Sequence, residues 1–271
     1  MACRNNYKMG VIPKKDGLMV RLSLKPGYLS CEQLIAIGKI AKKYGFGKVH
    51  LTTRQGLEFK IKYENLEKVE ELLEKEGIKI GSTGTRIRQI VCCIGSECYS
   101  SIGDSVSLAR KLHDEFEGIW VPKKLKINVS GCPNNCTHHQ FCDIGIYFRY
   151  ILEINKEKCI ECGKCENFCE INAIDWKNKA IKENCIGKGD CLKLCDAINV
   201  VDKAISINIG GKGGKFPKAA KHLIDVKTED EVLEVVDILI EMYSKFGKGR
   251  IYDFIKELGI DYVKQKVQAQ L

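Results

Sequence analysis

Seven cysteines crowd into residues 159–195, and their spacing constrains the chain more than anything else in it. Cys159, Cys162, Cys165 and Cys169 form C-x2-C-x2-C-x3-C, the run whose short successive turns present thiolates to the irons of one [4Fe-4S] cube. In such runs the fourth cysteine ligates a second cube, so a second run is required downstream. It is present but altered: Cys185, Cys191 and Cys195 keep the outer spacing, and Lys188 stands where another cysteine is expected. The crossing rule groups Cys159, Cys162, Cys165 and Cys195 around a complete cluster. Cys169, Cys185 and Cys191 remain for an incomplete one, either a [3Fe-4S] centre or a cube with a non-cysteine fourth ligand. Glu170 and Asp196 replace the proline that usually follows each run. Four-cysteine zinc sites also use C-x2-C spacing and are the competing reading.

The chain holds 15 cysteines, an odd number, and most lie too close together to staple distant parts of a secreted domain. Its start, MACRNNYKMG, lacks the apolar core of a signal peptide, and no stretch has the roughly 18 apolar residues that would span a bilayer. A cytoplasmic protein without membrane contact is expected. An excess of 44 Lys+Arg over 35 Asp+Glu gives a formal charge of +9, which suits an anionic partner. Nucleic acid is not expected, because no zinc-finger histidine spacing is present and the basic residues are not interleaved with aromatics. The GGKGGKFP loop is not a P-loop, since Phe216 follows Lys215 and Ile209 stands where the leading glycine belongs.

The periodicity predicts an α+β fold in four segments. Residues 1–81 read as a half-domain with a strand at 18–24, a helix at 30–44 capped by Ser30, a strand pair over 48–61 and a helix over 64–76. Residues 82–150 hold a helix near 104–117 and strands at 125–130 and 142–148. Residues 151–207 form the inserted ferredoxin-like module, with brief strands ILEIN, AIDW and AISINI. Residues 208–271 complete the interrupted domain with helices at 228–246 and 250–258.

A second cysteine constellation lies upstream. Cys92 and Cys98 stand at C-x5-C, and Cys132 and Cys136 at C-x3-C, so two loops can supply four thiolates to another cube. Pro133 directly after Cys132 suits a helix start whose free N–H groups face the cluster. Cys93 offers a C-x4-C register beside the C-x5-C one. Cys3, Cys31 and Cys142 read as core residues or free thiols.

C-x5-C followed by C-x3-C resembles the signature of siroheme sulfite and nitrite reductases, and TTRQG at 52–56 is similar to that family's TTRQ motif. The inserted module resembles that of dissimilatory and anaerobic sulfite reductases. The resemblance favours Cys92 over Cys93 as ligand and implies that Cys136 bridges cluster and siroheme iron. It places Arg21, Arg88, Lys124 and Lys126 around a small anionic substrate, and Thr52, Thr53, Arg54, Gln55 and Lys212 at the siroheme. Six-electron reduction of sulfite is the implied activity, with nitrite reduction or simple electron carriage as alternatives. No dinucleotide fingerprint is present, so a ferredoxin or a flavin-bearing partner is the expected donor. One copy of parts that longer enzymes repeat implies a homo-oligomer or pairing with a related chain.

Overall fold

The computed structural model describes residues 9–271, so Cys3 lies outside the described residues. The chain begins with β1 (Val11–Lys14), β2 (Gly17–Ser23), α1 (Cys31–Tyr44), β3 (Gly45–Leu51), β4 (Leu57–Ile61), α2 (Leu66–Lys75) and β5 (Lys79–Ile80). The strands pair antiparallel in the order β1-β2-β4-β3, with β5 joining β2. Alternation in GLMVRLS buries Leu18, Val20 and Leu22 in the core shared with Ile37 of α1 and Leu73 of α2. The same alternation sends Arg21 to the other face, directly across from Glu58 of β4. Ser30 caps α1 in a reciprocal capping box with Gln33, as the sequence predicts.

The second unit opens with β6 (Val91–Cys92), α3 (Ser105–Phe116), β7 (Ile127–Ser130) and β8 (Ile144–Ile154). The chain then leaves for α4 (Lys164–Phe168), β9 (Ile174–Asp175) and β10 (Ala180–Ile181). It returns as β11 (Ile198–Ile209), β12 (Lys221–Val226), α5 (Glu229–Phe246), α6 (Ile251–Leu258) and α7 (Ile260–Gln268). The sheet order is β12-β11-β8-β7-β6. β6, β7 and β8 run parallel, whereas β11 is antiparallel to both β8 and β12. Isoleucine and valine from β7, β8 and β11 share one core with α3, α5, α6 and α7, including Phe116, Tyr243 and Phe254. Each fully buried side chain of this size contributes about 1.5–3 kcal/mol.

The structure departs from the sequence reading in several places. ILEIN and AISINI are not brief strands of the module but parts of β8 and β11, a continuous two-stranded ribbon that carries the module. Residues 221–226 form β12 and residues 260–268 form α7, neither of which the periodicity announced. Gly259, at φ 83°, separates α7 from α6. Pro133 starts no helix: the loop after Cys132 is a series of turns, with Asn135 at φ 60° and His138 at φ 54°.

Candidate cluster and anion site

Parallel pairing decides where the upstream cysteines meet. Because β6 and β7 run the same way, the loops that leave their C-terminal ends emerge side by side, the usual place for ligands in such sheets. One loop carries Cys92, Cys93 and Cys98, the other Cys132 and Cys136. Cys92 and Cys132 are buried, Cys93 and Cys98 half-buried, and Cys136 exposed. Burial raises the Cys132 thiol, and the neighbouring thiols of Cys93, Cys136 and Cys98 raise it further. Burial likewise pushes Cys92 up to about 12. Thiolates in this pocket therefore form on ligation, which releases their protons.

Polar side chains hold these loops. Gln55, expected at the siroheme, clamps the Cys92 peptide: its Nε2 donates to Cys92 O at 2.6 Å and its Oε1 accepts from Cys92 N at 3.1 Å. Asn128 Nδ2 donates to Thr137 O at 2.5 Å, and Ser130 Oγ lies 2.7 Å from Thr137 Oγ1, fixing the loop that carries Cys136. His139 Nδ1 lies 3.1 Å from the same Ser130 hydroxyl, and its ring stacks on Tyr147. Burial lowers His139 to about 4, so it is neutral near pH 7 and acts as scaffold. Cys142 donates from the core to Ile144 O at 2.9 Å.

The cations converge on the groove between the two units. A cavity of about 200 Å³ is lined by Arg21, Arg88, Lys124 and Lys126 together with Thr52, Thr53 and Arg54. Lys212 is not among its lining residues; its ammonium sits 3.9 Å over the Tyr252 ring. Arg21 is held by Glu58, which accepts at 3.0 and 2.8 Å from the guanidinium and also pairs with His50. Burial alone would raise the Glu58 carboxyl, but the bonds from Arg21 and His50 hold it below the usual range. Arg88 donates to Ser82 O and Gly84 O at 2.9 and 3.0 Å, which leaves N–H groups for an anion. Burial, then the charge of Arg54, lowers the Lys126 ammonium.

Arg54 is tied into the protein by most of its donors. Its guanidinium donates to Gln89 O, Ile127 O and Asn128 Oδ1, stitching the TTRQ loop to the sheet. Burial lowers it to about 10, still cationic near pH 7. With most donors spent on carbonyls, Arg54 offers an anion mainly its positive charge. Thr52 Oγ1 accepts from the N–H groups of Arg54 and Gly56 and closes the same turn. On the opposite side, the wholly buried Asp143 accepts at 2.7 and 2.8 Å from Arg250 at the start of α6, and at 3.0 Å from Lys126 N.

In the module, Cys165 is raised by burial, then by Cys195 and Cys159, whereas Cys191 is raised to about 11 by burial, then by Cys185 and Cys169. Those neighbours follow the two groups that the crossing rule defines. Cys162 is exposed at the rim. Lys188 pairs with Asp190, and its ammonium also feels Glu170 and Cys132. A cavity of about 740 Å³ is lined by Cys185 of the module and Pro133 of the upstream cysteine loop, among others.

Two family models match the chain. That for the nitrite and sulphite reductase 4Fe-4S domain covers residues 83–271, and that for the nitrite/sulfite reductase ferredoxin-like half domain covers residues 12–76. The chain belongs to the nitrite and sulphite reductase family. An uncharacterized protein of Methanocaldococcus jannaschii is 57% identical, covering 99% of this chain and 97% of its own. A coenzyme F420-dependent sulfite reductase of the same organism is 32% identical over 97% of this chain, which spans 45% of that longer protein. Dissimilatory sulfite reductase I has the same fold, with a TM-score of 0.74 over 93% of this chain and 69% of that one at 20% identity.

Membership makes the protein an oxidoreductase and implies siroheme and [4Fe-4S] cofactors. The donor set fits them: soft thiols grouped at two places. No helix among the described residues is long and apolar enough to cross a membrane.

Proposed function

We propose that the protein reduces sulfite to sulfide, with the module's cysteines and the upstream set that includes Cys136 as the residues that would hold the iron-sulfur groups supplying the electrons. The observation that carries this reading is the convergence of Arg21, Arg88, Lys124 and Lys126 on one small cavity between the two units. About 200 Å³ takes a small oxyanion, or the carboxylate edge of a larger ligand, and little more.

The reaction consumes six electrons and six protons per bisulfite and yields hydrosulfide and three waters. When bound, siroheme supplies an open iron for the sulfur atom and a path for electrons. The chain's own residues handle the oxygens. Arg21 and Arg88, fixed by Glu58 and by the carbonyls of Ser82 and Gly84, are preorganised donors that need not reorient as negative charge builds. Lys124 and Lys126 supply further charge. Lys126, with its lowered pKa, is the better proton donor to a departing oxygen. Sulfite is favoured over nitrite by the F420-dependent relative and by one component of an anaerobic sulfite reductase of Salmonella typhimurium, 29% identical over 91% of this chain and 80% of its own.

The module supports a relay. Its complete group, around Cys165, shares one small apolar cluster with its incomplete group, around Cys191, and Lys188, between Cys185 and Cys191 in sequence, senses the charge of Cys132. The expected donor is an external ferredoxin or a flavin-bearing partner, and a second copy or related chain the expected neighbour. Steady-state rates with a reduced viologen, sulfite and nitrite being compared in parallel, test the substrate. A higher kcat/KM for sulfite, with sulfide as product, is expected; nitrite preferred with ammonium formed would reassign the site.

A further inference from the structure

The cysteine that the C-x5-C spacing nominates does not face the other thiols. Successive residues of an extended strand point to opposite sides. At the end of β6, Cys92 pairs with Val129 and packs into the main apolar core, 1% exposed. A side-chain carbon placed on Gly27, in the loop after β2, would stand 3.5 Å from Cys92 Sγ and 2.9 Å from Val106. Cys92 therefore directs its sulfur toward the seam with the N-terminal unit, where its peptide is clamped by Gln55.

Cys93 points the other way. Its Sγ accepts from Gly131 N at 3.1 Å and lies 3.1 Å from Ser105 Oγ. Gly131 immediately precedes Cys132, so this contact ties Cys93 to the C-x3-C loop. Ser105, wholly buried at the start of α3, also donates to Cys93 O at 3.3 Å and so fixes the residue at both ends. Polar donors on a sulfur are what a cluster thiolate requires, and an apolar core is what a neutral thiol requires.

We propose that Cys93, with Cys98, Cys132 and Cys136, holds the siroheme-coupled cluster, in a C-x4-C and C-x3-C set, and that Cys92 is a core residue. Each thiol loses its proton to solvent as its sulfur bonds to iron, and no electron moves. Ser105 is then a positioning residue whose hydroxyl acts through the Cys93 sulfur. The proposal rests on the family's cluster being bound here and not on the choice of substrate.

Three variants, purified anaerobically as the full chain and loaded with iron and siroheme, test it: Cys93→Ala, Cys92→Ala and Cys92→Val. Iron and acid-labile sulfide per chain are measured with the electron paramagnetic resonance of the reduced protein. The module's clusters serve as an internal control for folding. Cys93→Ala is expected to lose about four irons per chain and the signal of the coupled cluster while the module's signals persist. Cys92→Val is expected to keep both. Loss in Cys92→Ala that Cys92→Val restores also supports the proposal, since the larger side chain refills the core without supplying a ligand. Loss of the coupled cluster from Cys92→Val, or its retention in Cys93→Ala, overturns it. Because the readout is iron, a protein that fails to reduce sulfite leaves this result standing.

Discussion

At the scale of single residues, the chemistry depends on how far surroundings move a proton or a charge. Lys126 must be protonated to act as a general acid, and burial with nearby Arg54 lowers its pKa below the ordinary lysine value. Activity is therefore expected to fall as pH rises through that lowered pKa. Lys126→Met should reduce kcat by about a hundredfold with siroheme and iron content unchanged. Lys126→Arg should shift the alkaline limb of the pH profile upward, because guanidinium keeps its proton. An alkaline limb that stays in place would remove Lys126 from proton delivery. The four cations that the motif resemblance singles out line one cavity. Orientation was not legible in the sequence. Arg54 looked like a free anion ligand and is spent on three backbone and side-chain acceptors, because nothing in TTRQG reveals that Gln89 and Ile127 will stand opposite. Gln89, Asn128, Ser105 and Asp143 belong to no motif and had no local signal.

At the scale of elements, the parallel run of β6, β7 and β8 brings the two upstream cysteine loops to one end of the sheet, and α6 braces the opposite end, where Asp143 precedes β8, through Arg250. Asp143 is fully buried, so removal of Arg250 leaves a carboxyl that can neither be hydrated nor remain paired. Arg250→Ala is expected to cost about 3–5 kcal/mol in denaturant unfolding. Replacing both residues by apolar ones should recover part of that loss; a single-variant cost under about 1 kcal/mol would mean that solvent already reaches the carboxylate. The helices were readable because their caps are local: Ser30 with Gln33 and Thr228 with Glu231 form reciprocal capping boxes. β12 was not, because KHLIDV becomes a strand through its pairing with β11 across the glycine-rich loop. In that loop, Gly211 passes so close to the carbonyl oxygens of Gln140 and Cys142 that any side chain would collide.

At the scale of the whole molecule, three apolar cores among the described residues carry three cysteine-bearing or cation-bearing regions, and the ribbon of β8 and β11 continues from the main sheet into the module. The formal charge of +9 has a local meaning in the cavity between the units, although much of it is surface lysine paired with neighbouring carboxylates. If the module is the electron entrance, Cys165→Ala should slow sulfite reduction by a protein donor about tenfold or more. A small reductant that reaches the siroheme directly should support the same variant nearly as well as the parent; equal losses with both donors would place the module outside the path. The central claim is tested most directly by counting electrons. Protein carrying siroheme and its full iron complement is given bisulfite and a measured quantity of reductant under argon, and the sulfide formed is assayed. The account predicts sulfide at about six electrons apiece, with no partly reduced sulfur species accumulating. Fully loaded protein that consumes no reductant on bisulfite addition, or consumes it without making sulfide, would contradict it.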